Sequence, residues 1–140
     1  MAKKKTLRKL VDDVAVQLQK LVRLKEAVLN DGYVRCWYSG EMIHWKEADG
    51  CHYISRTHQA TKILEENIHP GKKGLNLRAG RGDSLLHADY RRNMVEFYGE
   101  EFVDELERSA REPIKYSRPD LEDQLKDLRK RNRELEAQLC

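Results

Sequence analysis

Four of the five histidines, His44, His52, His58 and His69, fall between Ile43 and Pro70 of a 140-residue chain. Imidazole exchanges protons near neutral pH and ligates metals through either ring nitrogen. Asp49 and Asn67 stand among these histidines, so the segment carries the residue types of an acid–base or metal site. Spacing narrows the chemistry. Cys36 and Cys51 belong to no C-x-x-C pair and no H-x-x-x-H pair occurs, so a tetrahedral zinc site has no local support. No local serine–histidine–acid signature is present, and the glycines match no Walker or dinucleotide-binding spacing. Taken singly, His44 reads as structural and His58 as exposed, while Trp37 and Trp45 read as core.

Elements on both sides must hold that segment in place. Leu7, Val11, Val14, Leu18, Leu21 and Val28 recur every three or four residues, which predicts one long helix over Thr6–Asn30. The run Tyr33–Tyr38 and the return Met42–Trp45 read as strands around a Ser39-Gly40 turn, with a further strand at His52–Ser55. A short helix is expected over Thr61–Asn67. From Gly71 to Asp83, four glycines interleave with Lys72, Lys73, Arg78 and Arg81, which predicts a flexible basic loop. A second long helix is expected over Leu86–Arg111, weakened at Gly99. After Pro113, Leu121, Leu125, Leu128, Asn132, Leu135 and Leu139 follow in steps of four and three, the heptad pattern of a coiled-coil seam. A single Asn in such a seam favours one paired register, so a parallel homodimer is expected, with folding back onto the same chain as the competing arrangement.

Composition excludes other classes. Charged residues make up 36% of the chain, and no apolar run approaches the ~20 residues of a membrane span. Asp12 and Asp13 interrupt any secretory leader after Lys3, Lys4 and Lys5. Three widely spaced cysteines point to a reduced, cytosolic compartment. The net charge of +3 is unevenly spread: +5 over residues 1–30, +1 over 31–80, −3 over 81–120 and zero over 121–140. A basic arm can contact phosphate while an acidic segment faces away.

Several segments carry a resemblance when read in order: Gly32–Cys36, His44-Trp-Lys-Glu, Gly50-Cys-His52-Tyr-Ile-Ser-Arg56-Thr-His and Glu65-Glu-Asn67-Ile-His69-Pro70. They continue through Tyr90-Arg-Arg, Tyr98–Val103 and Arg111-Glu-Pro113 to Tyr116-Ser-Arg-Pro119. Together they resemble the NinG/Rap recombination-protein family of lambdoid and related phages, across most of residues 7–120. The resemblance implies an HNH-like ββα core and cleavage of branched DNA, with His52 as general base and Asn67 orienting it or bracing its loop. It further implies Asn76, with His69 as competitor, holding one Mg²⁺ or Mn²⁺ ion, and Arg56 clamping phosphate. The family's two C-x-x-C pairs read here Cys36-Trp-Tyr-Ser39 and Lys72-Lys-Gly-Leu75. The structural zinc is therefore expected to be absent, with Leu75, Trp37 and Tyr38 packing in its place.

The resulting expectation is an α+β chain: a basic arm over 1–5, a NinG/HNH-like domain over 6–116 and a coiled-coil dimerisation helix over 117–140. DNA contacts fall to Lys3, Lys4, Lys5, Arg56, Lys72, Lys73, Arg78 and Arg81, in the cytoplasm of a bacterial host cell. The alternative is a dimer that binds DNA or protein and no longer cleaves.

Overall fold

The computed structural model describes residues 4–139, so Lys3 and Cys140 lie outside the described residues. The fold is α+β, with five helices and two small antiparallel sheets of two strands each among the described residues. Helix α1 spans Leu7–Ala27, and the Thr6 hydroxyl oxygen accepts the Lys9 N–H at 3.1 Å to cap it. Its expected last turn, to Asn30, gives way to turns, with Asp31 and Gly32 both at positive φ. Strands β1 (Tyr33–Arg35) and β2 (Met42–His44) pair with Tyr33 opposite His44. Strands β3 (Ala48–His52) and β4 (Ile68–Lys72) pair with His52 opposite Ile68, and a 3₁₀ turn over Glu65–Asn67 replaces the expected short helix.

The expected flexible loop after Gly71 is corrected to a helix. Helix α2 spans Lys73–Gly80 directly after β4, so β3, β4 and α2 form a ββα unit. Leu75 and Ala79, one turn apart, pack against the cluster of Cys36, Tyr38, Cys51, Tyr53 and Tyr90, which offsets the poor helix propensity of Gly74 and Gly80. The expected single helix over 86–111 is two, α3 (Ser84–Tyr98) and α4 (Glu100–Ser109), because Gly99 adopts φ 92° between them. Helix α5 runs Arg118–Ala137, with Pro119 in its first turn. No helix among the described residues is long and apolar enough to cross a membrane.

Helix α1 is the spine. Leu10, Val11, Val14, Leu18 and Leu21 meet Leu121, Leu125, Leu128 of α5 and Ile68 of β4 in one buried cluster. Asn132 bonds Gln17, and Lys20 pairs with Glu136 at 2.8 Å. Residue numbers therefore rise together along the two helices, which run parallel. The expectation of a homodimeric seam through Leu121, Leu125, Leu128, Asn132, Leu135 and Leu139 is corrected accordingly. That stripe is covered by its own chain, with Leu135 and Leu139 packing against the neighbouring Leu24–Trp45 cluster. A 20-residue helix is marginal alone, and burying three leucines contributes on the order of 5 kcal/mol.

On its other side α1 sits directly on β3. The Gln19 amide donates to the Gly50 carbonyl at 3.0 Å, and Arg23 donates to the Ala48 carbonyl at 3.2 Å. A Cβ on Gly50 would lie 2.5 Å from the Gln19 Cα. Gly50→Ala must therefore push helix and strand apart, at a cost of about 2–3 kcal/mol in urea unfolding; an unchanged midpoint would refute the close approach. At the seam, Asn132 Nδ2 donates to the Gln17 carbonyl and to its Oε1, both at 2.9 Å. Asn132 Oδ1 is buried and has no partner among the described residues. Asn132→Leu removes both that orphan acceptor and the two bonds to Gln17, and is expected to leave the sedimentation coefficient unchanged. A shift in oligomeric state would restore the intermolecular seam.

Candidate active site

The ββα unit encloses a cavity of about 630 Å³ whose lining includes His52, Arg56, Asn76, Arg81 and His87. No carboxylate lines it. With two arginines on its wall the cavity is built for an anion. Arg56 and Arg81 are exposed and have no acidic partner among the described residues.

His52 closes β3, and its Nε2 lies 2.8 Å from the Lys62 carbonyl oxygen. A carbonyl can only accept, so Nε2 carries the proton and Nδ1 keeps its lone pair. Nδ1 has no protein partner among the described residues. Burial pushes the His52 pKa down to about 4, so the ring is neutral at pH 7. The ring is thus oriented, unprotonated at one nitrogen and beside an electropositive cavity.

Asn67 is fully buried and does not line the cavity. Its Oδ1 accepts the Ile54 N–H at 2.8 Å, and its Nδ2 donates to the Ile54 and Thr61 carbonyls, both at 3.1 Å. Two of these bonds tie Ile54 to Asn67 across the ends of the 53–67 loop, and the third holds Thr61, next to Lys62, whose carbonyl holds His52. Of the two expected roles, Asn67 performs the bracing one. Its expected place among the catalytic groups is corrected to a structural one, outside the cavity.

Asn76, on α2, donates from Nδ2 to Asp49 Oδ2 at 3.1 Å, and its Oδ1 accepts the Tyr38 hydroxyl at 3.3 Å. Asp49, which the sequence sets among the histidines, does not line the cavity, because three residues along a strand put it on the face opposite His52. Sequence reasoning missed His87, which lines the cavity and stacks on Tyr53 with ring centroids 5.0 Å apart and 9° between planes.

His69 is corrected from metal ligand to packing residue. The Tyr90 hydroxyl donates to the Cys51 carbonyl at 2.7 Å, so it accepts from His69 Nδ1–H at 3.0 Å. His69 Nε2 then accepts the Tyr98 hydroxyl at 2.8 Å, and the ring stacks on Trp37 at 3.7 Å. Both nitrogens are consumed, and burial pushes the pKa to about 3.

The remaining basic residues divide. Lys72 pairs with Glu41, Arg78 with Asp83 at 3.0 Å, and Lys5 with Asp13 at 2.8 Å. Lys4 and Lys73 are exposed. At the positions expected to bear zinc thiolates, only Cys36 has a sulfur. Its Sγ accepts the N–H of Ser39 at 3.5 Å and of Lys72 at 3.3 Å, and Leu75 and Trp37 pack against its cluster. One thiol bonded to two amides does not fit a structural zinc. Among the described residues no group of three or more His, Cys, Asp or Glu side chains could hold a metal ion. Set against family models, curated proteins and solved structures, the chain matches none.

Both buried imidazoles titrate below the ordinary value of 6.5. Their contribution to stability is complete above pH 6.5 and is lost as the pH falls toward 4, because the unfolded chain binds the protons first. Stability is expected to drop by on the order of 2 kcal/mol per pH unit near pH 5. His69→Gln should roughly halve that slope in urea titrations, and an unaltered slope would contradict neutral burial.

Proposed function

We propose that the chain is a metal-dependent DNA endonuclease of the HNH type, acting on branched DNA in phage recombination. The observation that carries the reading is His52 beside a cavity with two arginines and no carboxylate, its Nε2 proton fixed on the Lys62 carbonyl and its Nδ1 open. The order strand, braced loop, strand and helix, with His52, Asn67 and Asn76 in sequence, supports it further, as does the likeness to the NinG/Rap family.

In this reading Arg56 and Arg81 hold phosphate oxygens of the bound strand. His52 Nδ1 takes a proton from the water that attacks phosphorus. Asn67, through its loop, keeps the imidazole in the tautomer that leaves Nδ1 unprotonated. Asn76, which lines the cavity with His52, would offer its amide oxygen to Mg²⁺ or Mn²⁺, which bind few protein ligands and keep waters and phosphate oxygens. When bound, such an ion stabilises the charge on the leaving oxygen and the phosphorane-like transition state.

A second reading, binding without cleavage, draws on the low basicity that burial imposes on His52. One experiment separates the two. A synthetic four-way junction is incubated with Mg²⁺ or Mn²⁺ and either the unaltered protein or His52→Ala. Cleavage by the former, with loss of at least 100-fold in the variant and retained binding on a gel, supports the nuclease. If both shift the junction and neither cuts it, the binding reading stands instead.

A further inference from the structure

The burial of the leucine seam on α1 leaves the rest of α5 facing outward, with most of its cations on one side, where Glu122 is the acid at the centre of the basic arc. At 3.6 residues per turn, Arg118, Lys126, Arg129 and Arg133 fall within an arc of about 80° beside the seam. Asp120, Asp123, Asp127 and Glu134 fall within about 60° on the outer face. Arg131, on the opposite flank, lies 3.9 Å from Asp127, and Glu136 is held by Lys20. Lys126, Arg129 and Arg133 have no hydrogen bond or ion pair among the described residues. With Leu125 and Glu122 they line a shallow groove of about 290 Å³.

Three features favour a polyanion as the occupant. First, none of the exposed large apolar side chains lies on α5, so the flank lacks the aromatic or aliphatic anchor around which protein interfaces are built. Second, the apolar face of α5 is spent on α1, which leaves nothing to insert into a lipid surface. Third, Lys126 to Arg133 rises about 10 Å along the helix, a span that covers about three phosphates of one DNA strand.

The flank is separate from the His52 cleft. Gln17 of α1 faces Asn132, whereas Gln19 faces Gly50 and the cavity. Two residues turn a helix by about 200°, so the cleft and α5 lie on opposite sides of α1. We propose that Lys126, Arg129 and Arg133 form a second nucleic-acid contact that takes phosphate backbone outside the cleft. The proposal rests on the nucleic-acid reading above.

The test measures four-way-junction affinity by fluorescence anisotropy in EDTA, from 50 to 250 mM NaCl, for the unaltered protein and for Lys126→Gln/Arg129→Gln/Arg133→Gln. Three lost phosphate contacts should make the slope of log affinity against log salt shallower by about 2 to 3, with affinity at least about tenfold weaker at the lowest salt and an unchanged thermal melt. An unchanged slope and affinity overturns the proposal. Arg56→Gln/Arg81→Gln serves as the separate probe of the cleft. If it binds like the unaltered protein while the α5 variant weakens, the cleft reading fails and the α5 contact stands. If the unaltered protein binds no junction, both fall. Loss of binding to phosphatidylserine vesicles in the α5 variant, with DNA affinity retained, overturns the proposal in favour of a membrane surface.

Discussion

Everything in this molecule depends on the burial of α1. Eight of its side chains are buried, and they face two directions: toward the β3–β4 hairpin on one side and toward α5 on the other. The helix is therefore a central member of the fold rather than an amphipathic cover. Gly50 is where this constraint is tightest, since α1 approaches the strand so closely that no Cβ fits. That contact fixes β3, and β3 ends in His52. The position of the candidate base is thus set by how closely a helix can lie on a strand.

The site follows the same logic of indirect support. His52 is oriented by a backbone carbonyl at residue 62, and the loop that carries this carbonyl is held by three hydrogen bonds of the buried Asn67. A second histidine, His69, lies in the same ββα unit on β4 and is neutral for the same reason, yet both of its nitrogens are taken by tyrosines. The difference between a residue able to do chemistry and one that packs is a single open lone pair. The turn around Cys36 is held by comparable indirect support. Two amide N–H groups on Cys36 Sγ, the Lys72–Glu41 pair and the packing of Leu75 hold the turn.

Much of the architecture was legible in the residues. The apolar period of α1 located it to within a turn at its N-terminus, and Ser39-Gly40 marked the first hairpin. The heptads of α5 reported a buried stripe but not its partner, because period describes the stripe and not the chain that buries it. Helix α2 was hidden by Gly74 and Gly80, whose poor propensity is overridden by the packing of Leu75 and Ala79. Gly99 was visible as a weak point, but that it breaks the helix depends on a positive φ that tertiary packing selects. At the site, residue type drew attention to the histidines with Asp49 and Asn67, while Asn76 entered only through the resemblance. The roles of Asp49 and His69 were not legible, since hydrogen-bond partners from distant elements decide them.

The central claim is that His52, beside the arginine-lined cavity, is a neutral imidazole with its proton on Nε2 and no protein partner on Nδ1 among the described residues. Nitrogen-detected NMR of the side-chain imidazoles, titrated from pH 8 to pH 4, reads this directly. The account predicts the Nε2–H tautomer for His52, persisting until the pH approaches about 4. An Nδ1–H tautomer, or protonation near the ordinary value of 6.5, would contradict it.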